Sequence, residues 1–184
     1  MSAVFAVVAF VVTLNPTRTR LGLSDVDDRG GLLRYLIAGT AAGAVVLGLV
    51  AAASGAVLRN LEVSPETFRI AAGFVLVLGA VRMTLHPVPH DEPVASGWRA
   101  MAWPIAFPRF ITPEMVMLSL TAGASDGAGS AAAGLGAAAV VSVGLGAYRP
   151  GPLGRRVLVA LGLVVSALVM LVGVWLALRG IREV

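Results

Sequence analysis

Residues Ala102 to Met115 read Ala-Trp-Pro-Ile-Ala-Phe-Pro-Arg-Phe-Ile-Thr-Pro-Glu-Met, placing an arginine, a glutamate and three prolines inside an apolar run from Ala100 to Ala124. Arg109 offers a planar donor fork suited to a carboxylate or phosphate. Glu114 has the chemistry to bind an ammonium group or to carry a proton. Thr112 followed by Pro113 is an N-cap and first-position pair, so a helix should start there and turn its unpaired amides toward an anion. Ionised groups at membrane depth cost about 2.5–3.5 kcal/mol each even on insertion scales, and each proline removes a backbone donor. A membrane protein tolerates both where the broken backbone is buried or lines a polar cavity. The segment, with Pro108 and Pro113 as breaks, therefore reads as a discontinuous helix at a binding site. The competing reading is that Arg109 and Glu114 pair only with each other, Glu114 also capping its own helix.

A second interruption lies near the start. Val4 to Leu14 is an apolar stretch of eleven residues, which covers only about 16 Å as a helix, half of a bilayer core about 30 Å thick. Asn15-Pro16 repeats the cap-proline signature, so a second half-helix should begin at Pro16 and run to about Leu23. Asn15, Thr17 and Arg18 then join Arg109, Thr112 and Glu114 as candidate substrate-binding residues. Alternatively, a short first span ends at the surface with Arg18 and Arg20 at the headgroups.

Composition decides what must hold these residues. Hydrophobic residues make up 58% of the 184 positions and charged residues 13%, against about 25% charged in an ordinary soluble domain. The chain is expected to be an all-α integral membrane protein, a single domain of six helices of about 20 residues. Every basic residue is arginine and the net charge is +4; no basic stripe with interleaved aromatics points to nucleic acid. Cysteine is absent, which excludes disulfides and thiolate chemistry. His86 and His90, followed by Asp91 and Glu92, are separated by prolines that prevent a helical metal site. No Ser/His/acid set or cofactor fingerprint is present, so neither an enzyme nor a cofactor is expected. Met1-Ser2-Ala3 lacks a basic region before the apolar run, so no cleaved signal is expected.

The remaining spans are Tyr35–Leu58, rich in small residues; Phe68–Leu85, opened by Ser64-Pro65-Glu66; Ala128–Ala147, almost wholly Ala, Gly and Val; and Val157–Leu178. Small residues in the second and fifth spans let neighbouring helices approach closely. Arg69 and Arg82 bracket the third span so tightly that one must snorkel or face inward. The chain divides into halves, about 1–90 and about 98–184, each a broken helix, a small-residue helix and a regular helix. Because an odd number of spans separates them, the halves form an inverted repeat, and paired broken helices in such repeats point to a transporter's midplane site.

With these residues in view, Phe68-Arg69-Ile70-Ala71-Ala72-Gly73, the aliphatic run after it, Pro104-Ile105-Ala106-Phe107-Pro108 and Thr13-Leu14-Asn15-Pro16 together resemble the MarC family of the LysE-type exporter superfamily. The first third also resembles the actinobacterial GAP branch of that group. The resemblance covers most of Thr13 to Met117 and implies a six-span bundle of two three-span repeats. It departs at Arg109 and at Thr112-Pro113-Glu114, where MarC-like chains carry an aliphatic residue and Gly-Pro-Gly.

The expected function is a permease or exporter of a small anionic or zwitterionic metabolite, working by alternating access. A translocase of a lipid-linked phosphate and a non-transporting accessory subunit are the alternatives. Expected partners are membrane lipid, the solute or lipid-phosphate substrate, and a second copy in a homo-oligomer. Nine arginines fall on the first, third and fifth connections and four on the opposite side, which places a cytoplasmic-membrane protein with both termini outside. In the cysteine-free background, cysteines at Ser2 and Glu183 should react with an impermeant thiol reagent in intact cells and one at Asp91 should not; the reverse pattern would invert the orientation.

Overall fold

The computed structural model describes residues 3–21, 29–86, 101–148 and 151–184. The acidic link Ser24 to Asp28, the Pro87–Pro93 loop with His90, Asp91 and Glu92, and Arg99 and Arg149 lie outside the described residues. Every regular element among the described residues is helical: α1 (Ala3–Leu14), α2 (Pro16–Leu21), α3 (Arg29–Asn60), α4 (Pro65–Leu85), a π-helical segment (Met101–Phe110), α5 (Pro113–Asp126), α6 (Ala128–Ala147) and α7 (Pro152–Glu183). Four of these, α3, α4, α6 and α7, are long and apolar enough to cross a membrane.

The helix starts follow local chemistry. Ser64 accepts a hydrogen bond from Thr67 N with Pro65 at the first position, and Thr112 accepts one from Met115 N ahead of α5. Gly127 alone separates α5 from α6 and takes φ +83°, a left-handed conformation open to glycine at little cost. The backbone is discontinuous at Asn15-Pro16 and at Thr112-Pro113. Pro108 does not break the chain: the segment stays π-helical through it to Phe110, and the Ile111 amide reaches back five residues to Ala106 O. A wider π turn accommodates Pro104 and Pro108, which supply no backbone donor.

The most extensive packing joins α4 and α7. They run antiparallel with their backbones in contact: a methyl added at Gly73 would lie 2.5 Å from Gly173 O, one at Gly173 would lie 2.8 Å from Gly73 O, and one at Gly180 would lie 2.7 Å from Glu66 O. Against this pair pack the shorter elements. The α1–α2 pair rests on α6 and α7, and the π-helical segment and α5 rest on α3. Each broken helix seats a phenylalanine on a glycine of its partner, Phe10 on Gly134 of α6 and Phe110 on Gly43 of α3. Both phenylalanines are fully buried and belong to the same apolar core as Leu47, Leu76, Met115 and Val169.

Of the two arginines bracketing α4, Arg69 is the one that faces inward, whereas Arg82 is exposed. The small-residue helix α6 is a contact helix on only one side. Gly134 and Gly146 are covered by Phe10 and Leu36, while Gly136 and Gly144 face open space. Gly134→Leu should therefore lower stability by about 1–3 kcal/mol through overpacking, whereas Gly144→Leu should melt as the parent does; equal losses in the two variants would show that Gly144 is also covered.

Candidate functional site

At the first break Asn15 is fully buried and takes φ +48°. Asparagine is among the few non-glycine residues that tolerate this region. The sequence suggested an N-cap, but the backbone is not in the extended conformation of one, and the side chain reaches other helices as well as the Thr17 hydroxyl of α2. Its Nδ2 lies 3.3 Å from Gly162 O, 3.4 Å from Ser166 Oγ and 3.9 Å from Met83 Sδ, so it reaches both α7 and α4. Its Oδ1 accepts from Thr17 Oγ1 at 2.6 Å, while its backbone carbonyl accepts from Arg18 N. Ser166 in turn donates to Gly162 O at 2.8 Å. A buried amide with both ends occupied is held in one orientation, because removing any partner would leave a polar group without water or replacement.

At the second break Thr112 is spent as the acceptor that caps α5. Glu114 follows it and is 8% exposed. Its side chain packs into the space left by Gly79 of α4, where any Cβ would overlap the carboxyl group. Arg18, three residues after Asn15, donates from Nη2 to His86 O at 3.0 Å, just past the end of α4.

The two breaks therefore converge. Gly79 and Met83 are one turn apart on the same face of α4, so Glu114 from one half and Asn15 from the other are brought to adjacent positions on one helix. Of the six residues singled out from the sequence, Asn15, Thr17, Arg18 and Glu114 are gathered in this way. Arg109 lies in the last turn of the π-helical segment that packs on α3.

Gly79, Met83 and Ser166 complete the cluster and were not singled out from the sequence. Ser166 carried a signal, as the only hydroxyl in the apolar run Val157–Leu178; Gly79 and Met83 carried none, since glycine and methionine are ordinary in such helices. Three further hydroxyls, on Thr13, Ser119 and Ser142, are buried without a partner among the described residues. Among those residues no group of His, Cys, Asp or Glu could hold a metal ion.

No protein-family model matches this chain, no curated protein matches it, and no solved structure matches it. The cluster thus stands on its own geometry, which a double-mutant cycle can check. Gly79→Ala should cost about 1–3 kcal/mol of stability by crowding Glu114, and in a Glu114→Ala background the same change should be nearly neutral, a coupling of about 1 kcal/mol or more. Additive melting shifts would mean that Gly79 and Glu114 do not meet.

Proposed function

We propose that the protein is a multi-pass membrane transporter for a small anionic or zwitterionic solute, which binds where the two helix breaks meet on α4. The observation that carries this reading is the placement of Asn15 and Glu114, one from each broken helix, on adjacent turns of a single apolar helix. A bilayer-embedded bundle gains no stability from such groups, because charge and unfilled polarity are costly at membrane depth; ionisable residues there mark solute or ion pathways. Arg18 is the group for the anionic part of the solute, through its guanidinium fork. Glu114 faces any cationic part, and Asn15 with Thr17 and Ser166 supplies the neutral hydrogen bonds.

In this reading α1 with α2, and the π-helical segment with α5, each complete one further span, giving six in two inverted repeats. Three features support it. The broken helix of the first half packs on α6, the second helix of the other half; the broken helix of the second half packs on α3. The two phenylalanine-on-glycine contacts follow the same exchange. The third helices of the halves, α4 and α7, are antiparallel, as an inverted repeat requires. Membership of a MarC-like exporter group, with both termini outside the cytoplasm, belongs to the same proposal and rests on the sequence resemblance and the arginine distribution.

The test is a thermal-shift screen of purified protein against amino acids, small carboxylates and phosphate esters, followed by variants. A compound that stabilises the parent should bind roughly tenfold more weakly to Arg18→Lys, which keeps charge but loses the fork, and roughly a hundredfold more weakly to Arg18→Gln. Arg109→Gln should retain the response. Full ligand response in Arg18→Gln, or no response of the parent to any class, would sink the proposal.

A further inference from the structure

A second polar cluster lies at the end of the bundle where α4 begins, and nothing in the binding site uses it. Arg69, 9% exposed, donates from Nε and Nη2 to Ser125 Oγ at 3.2 and 3.0 Å and contacts the Glu183 carboxylate. Glu183 also accepts from Arg179 Nε at 2.7 Å. Arg179 lies over the Trp175 ring at 5.4 Å, and Trp175 packs on Phe5 with ring centroids 4.2 Å apart. One chain of contacts therefore joins α1, α4, α5 and α7 at a single end.

We propose that Arg69, Ser125 and Glu183 form a latch that closes this end of the transporter and must open for the solute to pass on that side. The inference rests on the transport reading for its purpose but on separate residues for its geometry. α5 links latch to site as one rigid element of 14 residues, about 20 Å long, with Glu114 in its first turn and Ser125 in its last. At Gly123 it is pressed against Ala51 O and Ser54 of α3, so α3 and α5 move as a unit. The other unit is the closely packed α4–α7 pair. Along the apolar contact between these units, polar or charged side chains of α5 meet α4 at Gly79–Glu114 inside the bundle and at Arg69–Ser125 at its end.

The contacts suit a gate. They are charged and directional, so they close one arrangement firmly, yet they can be exchanged for water at the surface, as the packed glycine contacts of α4 and α7 cannot. A pocket of about 360 Å³ opens at the same end, lined by Leu58, Arg59, Glu62, Val63 and Ser64 and by Ala124, the neighbour of Ser125.

Ser119 is a buried reporter on α5 between site and latch. In sealed vesicles, an impermeant maleimide is added on the face where Asn60→Cys labels, and the rate of Ser119→Cys labelling is measured. Arg69→Gln and Glu183→Gln should each speed it about tenfold, the change expected from losing one charged hydrogen bond. High salt should speed it in the otherwise unmodified reporter, since Glu183 is 36% exposed and screening reaches it. Should Arg69→Gln fail to fold, Glu183→Gln and the salt series decide. Unchanged rates in the folded variants and in high salt overturn the latch. Faster labelling in a protein that responds to none of the screened solutes keeps the latch and removes the transport reading instead.

Discussion

The arrangement depends on the backbone contact between α4 and α7. In water two apolar helices associate by expelling solvent, but in lipid that drive is absent and association comes from close packing. Gly73, Gly173 and Gly180 remove the side chains that would hold the helices apart, and the resulting pair is rigid and antiparallel. That rigidity matters because the breaks in the other helices supply no stability of their own. Asn15 is anchored only because Met83 of α4 and Gly162 with Ser166 of α7 stand at fixed separations, and Glu114 fits only because α4 carries a glycine facing it.

A polar cluster built this way differs from a structural ion pair. A buried pair that served stability alone would bring both charges into direct contact and satisfy their remaining atoms, since desolvation otherwise exceeds the Coulombic gain. Here the neutral amide is fully partnered, whereas the carboxylate is set beside Gly79 and the nearby Arg18 is tied to the carbonyl of His86.

The two ends of α5 carry the same logic to a larger scale. A single helix has a charged contact to α4 at its tip and a close glycine contact to α4 at its start, so displacement at one end is transmitted to the other. The segment ahead of it, with prolines at 104 and 108, is π-helical, unlike the other helices among the described residues. π turns of this kind occur disproportionately at functional sites.

Much of this was legible in the residues. The apolar composition, the helix breaks at Asn15-Pro16 and Thr112-Pro113, the Thr112 cap and the short first helix are local properties, and local chemistry decided them without help from the fold. The spacing of Arg69 and Arg82 required one of them to snorkel or face inward, and the fold decided that Arg69 is buried. What the sequence could not determine is which groups meet. Asn15 and Glu114 are far apart along the chain, yet both reach α4 within one turn, at Met83 and Gly79, because the paths of α1 and α5 across α4 are set by helix packing and not by sequence separation. Likewise Pro108 had every local mark of a break and became part of a π-helical segment that continues to Phe110. Gly134 and Gly144 are the same residue in the same helix, and only the neighbours brought by the tertiary structure make one a contact and leave the other open.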